Sequence, residues 1–326
     1  MPMGSITGQI SRLLRQFKGT YVLHNLLNRQ KLAHNRHLYA RYGLRKSIYS
    51  PIGSHDFPEV NPEQLPWLDR PDAAQQLEKH PEYVQFSESI QGELRRFVAE
   101  GFMILRGYFS TEVVEQANQQ IQQLMAEKRI GFNYLGRKIM QSHRYAPVIE
   151  QQFFRQPELL RLLSFIMGEP VVPFQTINFI SGSEQRAHSD SIHMTTYPPG
   201  YLIACWTALE PVTEANGPVF YYPGSHRLPY LMCPDYPSGN TAWTIGVQSN
   251  YRYENALQEQ LEQAGWTAKS FTAQPGDLLI WHANLIHGGR PIQQPGTTRR
   301  SMVAHYFTDN VICYHEISQR PALLEK

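Results

Sequence analysis

Residues 171–174 read VVPF, residues 177–180 read INFI, and residues 201–209 read YLIACWTAL. These three runs decide the fold class, because each has the length of a strand and is rich in the β-branched, aliphatic and aromatic side chains that favour sheets. Similar short apolar runs follow at 219–222, 278–281 and 301–307, separated by turns that contain Gly, Pro and Asn. Short strands at this spacing predict a sandwich or barrel, and we expect a double-stranded β-helix, the jelly roll of cupin-like proteins.

Helices are expected in front of these strands. Residues 8–48 carry apolar side chains at helical spacing, and residues 110–128 begin with Ser110, a residue type that caps helix N-termini. Another helix is expected over residues 87–100, with Gly101 at its end. The predicted fold class is therefore mainly β with flanking helices.

The proline pattern divides the chain. Five prolines lie between residues 51 and 71, which excludes long helices there and indicates a connection laid over a surface. We therefore predict two parts. Residues 1–85 form a basic helical extension with its Pro-rich connection, and residues 86–326 form the main domain.

Composition limits the cellular setting and the partners. The chain has 41% hydrophobic residues but no apolar run long enough to span a bilayer, and its three cysteines are too few for a disulfide framework. We expect a globular, cytoplasmic protein that binds a small molecule and no nucleic acid.

Charge is distributed unevenly along the chain. Residues 1–55 contain nine Lys and Arg and no Asp or Glu, whereas the remainder holds 21 basic and 28 acidic side chains. Such a basic arm either binds an anionic partner, for example in a peripheral contact with a membrane, or packs on the protein's own acidic body. The sequence leaves both alternatives open, and it leaves the oligomeric state open.

The motif H-x-D at His188 and Asp190 carries the chemistry. In an extended segment residues i and i+2 point to the same side, so these residues can offer an imidazole and a carboxylate to one metal ion. Residues 276–289 supply two candidates for a third ligand, His282 and His287. Two His and one carboxylate leave positions open on the metal, which is the arrangement of non-haem Fe(II) oxygenases. The motif alone is weak evidence, because a His on a strand is more often a core residue than a ligand.

Two neighbouring arginines follow the second histidine segment. A 2-oxoglutarate molecule chelates iron through its 2-oxo acid end, and its far carboxylate needs a cation, for which the forked guanidinium is suited. Arg299 and Arg300 face opposite sides of a strand, so only one of them can serve. The alternative is that both lie on the surface of an edge strand.

Taken in order, these motifs resemble those of the phytanoyl-CoA dioxygenase family of Fe(II)/2-oxoglutarate oxygenases. The resemblance covers residues 87–307, and residues 1–85 do not match the family. The segments that carry it, besides the H-x-D motif, are EGFMILRG at 100–107, CWTALE at 205–210, NGP at 216–218 and PGSHR at 223–227.

The resemblance implies that His188, Asp190 and His287 bind Fe(II). The family places its second histidine directly before a pair of small residues, here Gly288-Gly289, which favours His287 over His282.

The same resemblance assigns the co-substrate site. It implies Arg299 as the partner of the 2-oxoglutarate carboxylate, Trp206 as a residue that lines the co-substrate site, and Asn178 as a hydrogen-bond partner of the same molecule. His226 and His305 are expected to be hydrogen-bonding core or loop residues.

The implied activity is that of a dioxygenase. It uses O₂ and 2-oxoglutarate to hydroxylate a small organic or lipid-like substrate, and it releases succinate and CO₂. Residues 86–326 would form the oxygenase domain. His193 and Tyr197 lie just past the metal motif and can face the substrate, although Tyr197 can instead pack beside Pro198.

Three other functions are weighed against this one. A related halogenase replaces the carboxylate ligand by a small residue, so Asp190 argues against it. A zinc hydrolase uses the same ligand types. A non-enzymatic cupin-like binding module is compatible with the fold, since fold does not fix function, but it would leave the ligand set and Arg299 without a purpose.

Overall fold

The structure is a computed structural model, and it describes residues 16–133, 136 and 138–324. Antiparallel strands form most of its centre. Their bounds are β1 Phe102–Leu105, β2 Ile139–Met140, β3 Val171–Phe179, β4 Thr195–Tyr197, β5 Leu202–Ala208, β6 Val219–Tyr221, β7 Lys269–Phe271, β8 Leu278–His282, β9 His287–Gly289, β10 Ser301–Thr308, β11 Ile312–His315 and β12 Arg320–Pro321.

The described strands form one large sheet and two smaller ones. The large sheet has the order β1-β8-β5-β10-β3-β2, and the smaller sheets have the orders β7-β6-β9 and β12-β11-β4. Neighbouring strands in each sheet run antiparallel. Together with the flanking helices, this confirms the predicted mainly β fold class.

The large sheet is covered on both faces, which explains why its central strands read as continuous apolar runs. In β5, Ile203 and Cys205 pack into the core shared with the helices, whereas Ala204 and Trp206 pack with residues of β6 and β7. Every residue of β5 and β10 is buried.

Helices occupy the flanks. Their bounds are α1 Lys18–Leu27, α2 Asn35–Arg41, α3 Ala73–Lys79, α4 Glu88–Glu100, α5 Thr111–Ala126, α6 Pro157–Met167 and α7 Ser249–Gln263. Ser110 caps α5 by accepting a hydrogen bond from the backbone N–H of Val113, and Gly101 ends α4 with a φ of 81°. The cap predictions for α4 and α5 are therefore confirmed.

Three helices, α3, α6 and α7, were missed in the sequence, although signals for the last two are present. Helix α6 begins with Pro157 and ends before Gly168, the usual order of these residues at helix termini. Helix α7 buries Tyr253, Leu257 and Leu261, which recur at four-residue intervals.

The N-terminal extension packs on the body over part of its length. Leu32, Leu38, Ile48 and other apolar residues of the extension share a buried core with Tyr197 of β4 and with β11. Residues 1–15 lie outside the described residues, and they include positions 8–15 of the predicted helical segment. The division of the chain at residue 86 stays a prediction.

No helix in the described part of the chain combines the length and the apolar character needed to cross a membrane.

Candidate metal centre

Backbone pairing sets the two histidines of the candidate site side by side. His188 and His287 form an isolated antiparallel bridge, in which each backbone N–H donates to the carbonyl oxygen of the other at 2.9 Å. Their imidazole rings consequently lie 4.5 Å apart between centroids. Asp190 follows two residues after His188, at the start of a 3₁₀ turn that spans Asp190–Ile192.

The three side chains form a compact group of ligand atoms. His188, Asp190 and His287 each offer one ligand atom, and these atoms all lie within 4.8 Å of one another. Oδ1 of Asp190 is 4.0 Å from Nε2 of His188 and 3.8 Å from Nε2 of His287. All three residues are buried. The structure thus brings together the three residues predicted as ligands, and the ligand role itself is taken up as a proposal below.

Each histidine is held in the tautomer that a metal ligand requires. Nδ1 of His188 lies 2.9 Å from the carbonyl oxygen of Arg186, and Nδ1 of His287 lies 2.9 Å from that of Leu285. A carbonyl only accepts, so both Nδ1 atoms carry the proton and both Nε2 atoms present a lone pair. The amide of Gln185 donates to Nε2 of His188 at 3.1 Å, and it must turn away when a metal binds there.

Asp190 is oriented by two further residues. Trp281 Nε1 donates to Oδ2 at 2.8 Å, and Nε2 of His305 lies 3.6 Å from the same oxygen, which leaves Oδ1 directed at the histidines. Burial by itself would raise the pKa of Asp190, but the charge of His287 in its protonated form and the hydrogen bond from His305 outweigh burial and hold that pKa well below the ordinary value. Burial, aided by His287, also lowers the pKa of His188. The cluster is therefore a carboxylate beside a neutral imidazole of His188, which are the forms that bind metal ions.

His282, the alternative third ligand, is directed elsewhere. Trp281 faces the cluster from β8, so the next residue along the strand faces the opposite side. Nδ1 of His282 accepts from the backbone N–H of Asn284 at 3.1 Å, and Nε2 donates to Oδ2 of Asp69 at 3.0 Å. Both nitrogens have partners, and the geometry supports His287 as the third residue of the cluster.

Arg299 is buried beside the cluster without a hydrogen-bond partner for two of its nitrogens. The residue is 1% exposed, and its guanidinium lies 5.4 Å from the ring of Trp206 and 5.7 Å from that of Phe179. Within the described chain, Nε and Nη1 make no hydrogen bond. Burial lowers the pKa of Arg299 to about 10, so the side chain is still charged at neutral pH.

Arg300 takes the opposite side of the strand. Its Nε lies 3.7 Å from Oε2 of Glu210, and its backbone N–H donates to the same carboxylate. The expected division between a buried and a surface-facing arginine is thus present in the structure.

One cavity contains both the cluster and the arginine. Its volume is about 890 Å³, and Trp206, Lys138 and His193 are among its lining residues. Lys138, which was not predicted from the sequence, adds a second basic side chain to the cavity. Its pKa is lowered by burial, and the charge of Asp190 only partly opposes this shift. Lys138 precedes the short strand β2, which carries no recognisable motif.

Asn178 lies away from the cavity in the structure, and its predicted bond to 2-oxoglutarate stays a prediction. The residues of β3 that reach the cavity are Phe174, Gln175, Ile177 and Phe179. Asn178 lies on the other face, where its Oδ1 accepts a hydrogen bond from Ser142. In this arrangement β3 directs Asn178 towards Ser142 and directs its neighbours Ile177 and Phe179 towards the cavity.

Three other predicted side chains have clear positions. His193 lines the cavity, as expected for a residue that can face the substrate. Tyr197 is not among the lining residues; its ring stacks on Phe57 at 4.4 Å between centroids, a contact that neither alternative included. His305 lies on the cavity face of β10 beside Asp190, which the assignment to a core or loop role did not anticipate.

The metal cluster and Arg299 lie within the part of the chain that matches a known sequence family. A sequence model of the phytanoyl-CoA dioxygenase family matches residues 97–301, a span that includes the cluster and Arg299. The chain belongs to the phytanoyl-CoA dioxygenase family. The resemblance stated from the motifs is thereby confirmed.

Individual relatives within this similarity are distant. Peroxisomal phytanoyl-CoA dioxygenase of Rattus norvegicus is 24% identical over 238 residues, which cover 66% of this chain and 67% of the rat protein. Ectoine dioxygenase of Bordetella parapertussis is 23% identical over 278 residues, covering 78% and 89%. A Caenorhabditis elegans protein described as "Probable phytanoyl-CoA dioxygenase" is 28% identical over 132 residues, and the match spans 40% of this chain and 39% of that protein.

Solved structures share the fold. EctD from S. alaskensis with 2-oxoglutarate and 5-hydroxyectoine superposes with a TM-score of 0.53 at 21% identity, over 68% of this chain and 76% of that chain. The epimerase SnoN with Fe³⁺, alpha ketoglutarate and nogalamycin RO gives 0.53 at 17% identity, over 69% and 85%. The carbocyclase SnoK gives 0.56 at 12% identity, over 75% and 95%. These likenesses agree with the predicted jelly roll.

Proposed function

We propose that the protein is an Fe(II)- and 2-oxoglutarate-dependent dioxygenase that hydroxylates a small organic or lipid-like substrate. The observation that carries the proposal is the buried Arg299, whose Nε and Nη1 have no hydrogen-bond partner in the described chain although it shares a cavity with a three-residue metal cluster. A buried cation without a partner is costly, so the site favours an anionic ligand at this position.

The residues of the cavity fit both cofactors. His188, Asp190 and His287 would hold the iron, because two imidazoles and one carboxylate are the ligand set of non-haem Fe(II) oxygenases. Arg299 would bind the far carboxylate of 2-oxoglutarate, with its stacking on Trp206 fixing the plane of the guanidinium. Bound iron would supply the activation of O₂, while 2-oxoglutarate is converted to succinate and CO₂.

The protein's own residues have positioning roles in this scheme. The bond from Trp281 to Oδ2 holds Asp190 in one orientation, and such outer partners tune a metal site. The apolar lining from Phe174, Phe307 and Leu323 would exclude water from the substrate. His193, whose ring lies 5.9 Å from that of His188 between centroids, would contact the substrate from the cavity wall.

The competing functions fit less well. Asp190 lies in the cluster itself, so the small residue that a halogenase needs is not present at this position. A zinc hydrolase or a binding module would give no role to a buried cation beside the cluster. Among relatives of this fold, SnoN is described as an epimerase and SnoK as a carbocyclase, so the fate of the substrate is a separate question from the use of 2-oxoglutarate.

The test supplies the purified full chain with Fe(II), 2-oxoglutarate and O₂, and measures succinate release and oxygen uptake. We expect turnover that needs all three components. Replacing Arg299→Gln should raise the KM for 2-oxoglutarate by more than about a hundredfold, since breaking a buried charge pair costs on the order of 3–5 kcal/mol. The matched variant Arg300→Gln should change the KM for 2-oxoglutarate little. The opposite ranking, or succinate release without iron, would contradict the proposal.

Hydroxylation is tested separately by mass spectrometry of candidate substrates. A hydroxylated product gains one oxygen atom, an epimerised product keeps its mass, and a cyclised product loses two hydrogen atoms. A product of unchanged mass with succinate formation would leave the cofactor assignment in place and overturn the hydroxylase assignment.

A further inference from the structure

Helix α1 exposes its apolar side chains and buries its polar ones. Leu23, Leu26 and Leu27 are 62%, 46% and 78% exposed. Their spacing of three and four residues places them on one side of the helix, which we call the leucine face. The residues that α1 buries are Lys18 and Asn25. A helix that packs on a protein core shows the reverse arrangement.

The buried polar residues fix the rotation of the helix. Nζ of Lys18 donates to Oε1 of Gln319 at 2.6 Å, and Nδ2 of Asn25 donates to the carbonyl oxygen of Tyr49 at 3.0 Å. With these two bonds in place, α1 cannot turn its leucines onto the body without leaving buried polar atoms unpaired. The exposure of the leucine face is therefore built into the way the helix is anchored.

A further exposed apolar residue, from another part of the chain, is hydrogen-bonded through its backbone to the first residue of the same helix. The backbone N–H of Lys18 donates to the carbonyl oxygen of Trp243 at 2.8 Å, and Trp243 is 71% exposed. Exposed Trp and Leu side chains are typical of segments that lie at a membrane surface.

The charge of the surrounding chain selects the kind of surface. Residues 1–55 contain nine Lys and Arg and no acidic residue, and Arg29, two residues after Leu27, is exposed. The rest of the chain carries more acidic than basic side chains. An anionic bilayer would attract the arm and repel the body, so charge and apolar exposure both direct α1 towards the lipid.

The helix also lines part of the cavity. His24 and Asn25 of α1 are among the cavity lining residues, and Tyr21 of the same helix lies over the guanidinium of Arg320, which lines the cavity as well. A surface contacted by the leucine face would therefore be separated from the proposed active site only by α1.

We propose that the leucine face docks the protein on an anionic lipid bilayer, with the cavity next to the lipid. The docking itself does not depend on the reaction, but its purpose rests on the proposed function, since it would bring an apolar substrate from the membrane to the cavity. Alternative occupants of the face are a second copy of the chain and the chain's own first fifteen residues.

Vesicle sedimentation of the full chain tests the docking without reference to turnover. We expect binding to vesicles of phosphatidylcholine with phosphatidylglycerol, weaker binding to phosphatidylcholine alone, and loss of binding at high salt. In the variant Leu23→Gln/Leu26→Gln/Leu27→Gln, the affinity for the anionic vesicles should fall by at least about tenfold. The control Val84→Gln changes an apolar residue that is 69% exposed on a segment remote in sequence, and it should bind like the unchanged protein.

Each other outcome overturns the proposal. Equal binding of the triple variant and the unchanged protein would show that other residues carry the contact. Suppose that the unchanged protein does not bind anionic vesicles. If light scattering then shows that the triple variant has half the molecular mass of an oligomeric unchanged protein, the face is an interface between copies. If vesicles are ignored and the triple variant is monomeric but melts earlier, the face is covered by the chain itself. Arg29→Gln, measured alone, should weaken binding to anionic vesicles even if the triple variant fails to fold.

Discussion

At the scale of single residues, the candidate site depends on which of two close histidines reaches the cluster. Both His282 and His287 lie near the end of β8, and both are buried, so neither burial nor proximity in sequence distinguishes them. The distinction comes from the bridge between His287 and His188, a contact between distant parts of the chain. Long-range pairing of this kind is not visible in one sequence.

The two histidines make a matched pair for mutation. We expect His287→Ala to abolish binding of Fe(II), measured anaerobically by calorimetry, because it removes one of three ligands. His282→Ala should keep the metal but lower the free energy of unfolding by about 1–3 kcal/mol, since it leaves Asp69 and the N–H of Asn284 without their partner. Metal binding that survives in His287→Ala and fails in His282→Ala would reverse the assignment.

Other single residues show what the sequence could and could not supply. His188 and Asp190 followed from the two-residue repeat of extended chain, and the structure places both in the cluster. Asn178 was expected in the cavity because polar residues commonly line a polar site, but the structure places it on the other face of β3. In β3 the odd-numbered Ile177 and Phe179 face the cavity, while Thr176 and Asn178 meet Ser142 on the other side. The parity of a strand with both faces buried cannot be read from its own residues.

At the scale of elements, β9 shows why a pair of glycines follows the candidate ligand His287. A Cβ on Gly288 would lie 2.6 Å from the carbonyl oxygen of Gln185 and equally close to the ring of Phe220. On Gly289 it would lie 2.4 Å from Oγ of Ser183. Strand β9 therefore packs closely against residues 183–185, which precede His188 in the chain. This close packing places His287 next to His188.

Gly288→Ala tests this account of the element. We expect the added methyl group to push β9 away from the loop at Gln185, because the contact is with backbone and cannot be relieved by a side-chain rotation. The free energy of unfolding should fall by about 1–3 kcal/mol, and Fe(II) affinity should fall as His287 moves. Gly131→Ala, at a glycine with open space around its Cβ position, should leave both unchanged. Equal effects of the two variants in urea unfolding and calorimetry would exclude the close approach as the cause.

Elements were predicted well where local signals were strong. The apolar runs gave the long strands, and the caps at Ser110 and Gly101 gave the helices α5 and α4. The short strands β2, β4, β7, β9, β11 and β12 were missed, because two to four residues carry too little pattern to be distinguished from loop. They matter to the site, since Tyr314 and His315 of β11 line the cavity.

At the scale of the whole molecule, the basic arm divides into two parts with different roles. The sequence offered packing on the body and contact with an anionic surface as alternatives for one segment. In the structure, Leu32, Leu38, Leu44 and Ile48 are buried, whereas the leucine face of α1 is exposed. The sequence could not separate the two parts, because both show apolar residues at helical spacing and only the tertiary partner differs.

Two truncations separate these roles. Removing residues 1–48 takes Leu32, Leu38, Leu44 and Ile48 out of the core with Ile312. Each such side chain contributes about 1.5–3 kcal/mol by burial, and their sum is comparable with the total stability of many domains, about 5–15 kcal/mol. We therefore expect this truncated protein to aggregate or to melt far below the full chain in calorimetry, whatever its affinity for vesicles.

Removing residues 1–28 should have a different effect, because it spares that core. It loses the hydrogen bonds of Lys18 and Asn25, each worth about 0.5–1.5 kcal/mol, and leaves Gln319 without one partner, so the melting temperature should fall by only a few degrees. Its binding to anionic vesicles should be lost together with the leucine face. If the longer truncation melts like the full chain, residues 29–48 do not stabilise the body. If the shorter truncation still sediments with the vesicles, the membrane contact lies elsewhere on the protein, and the cavity beside α1 has no reason to face the lipid.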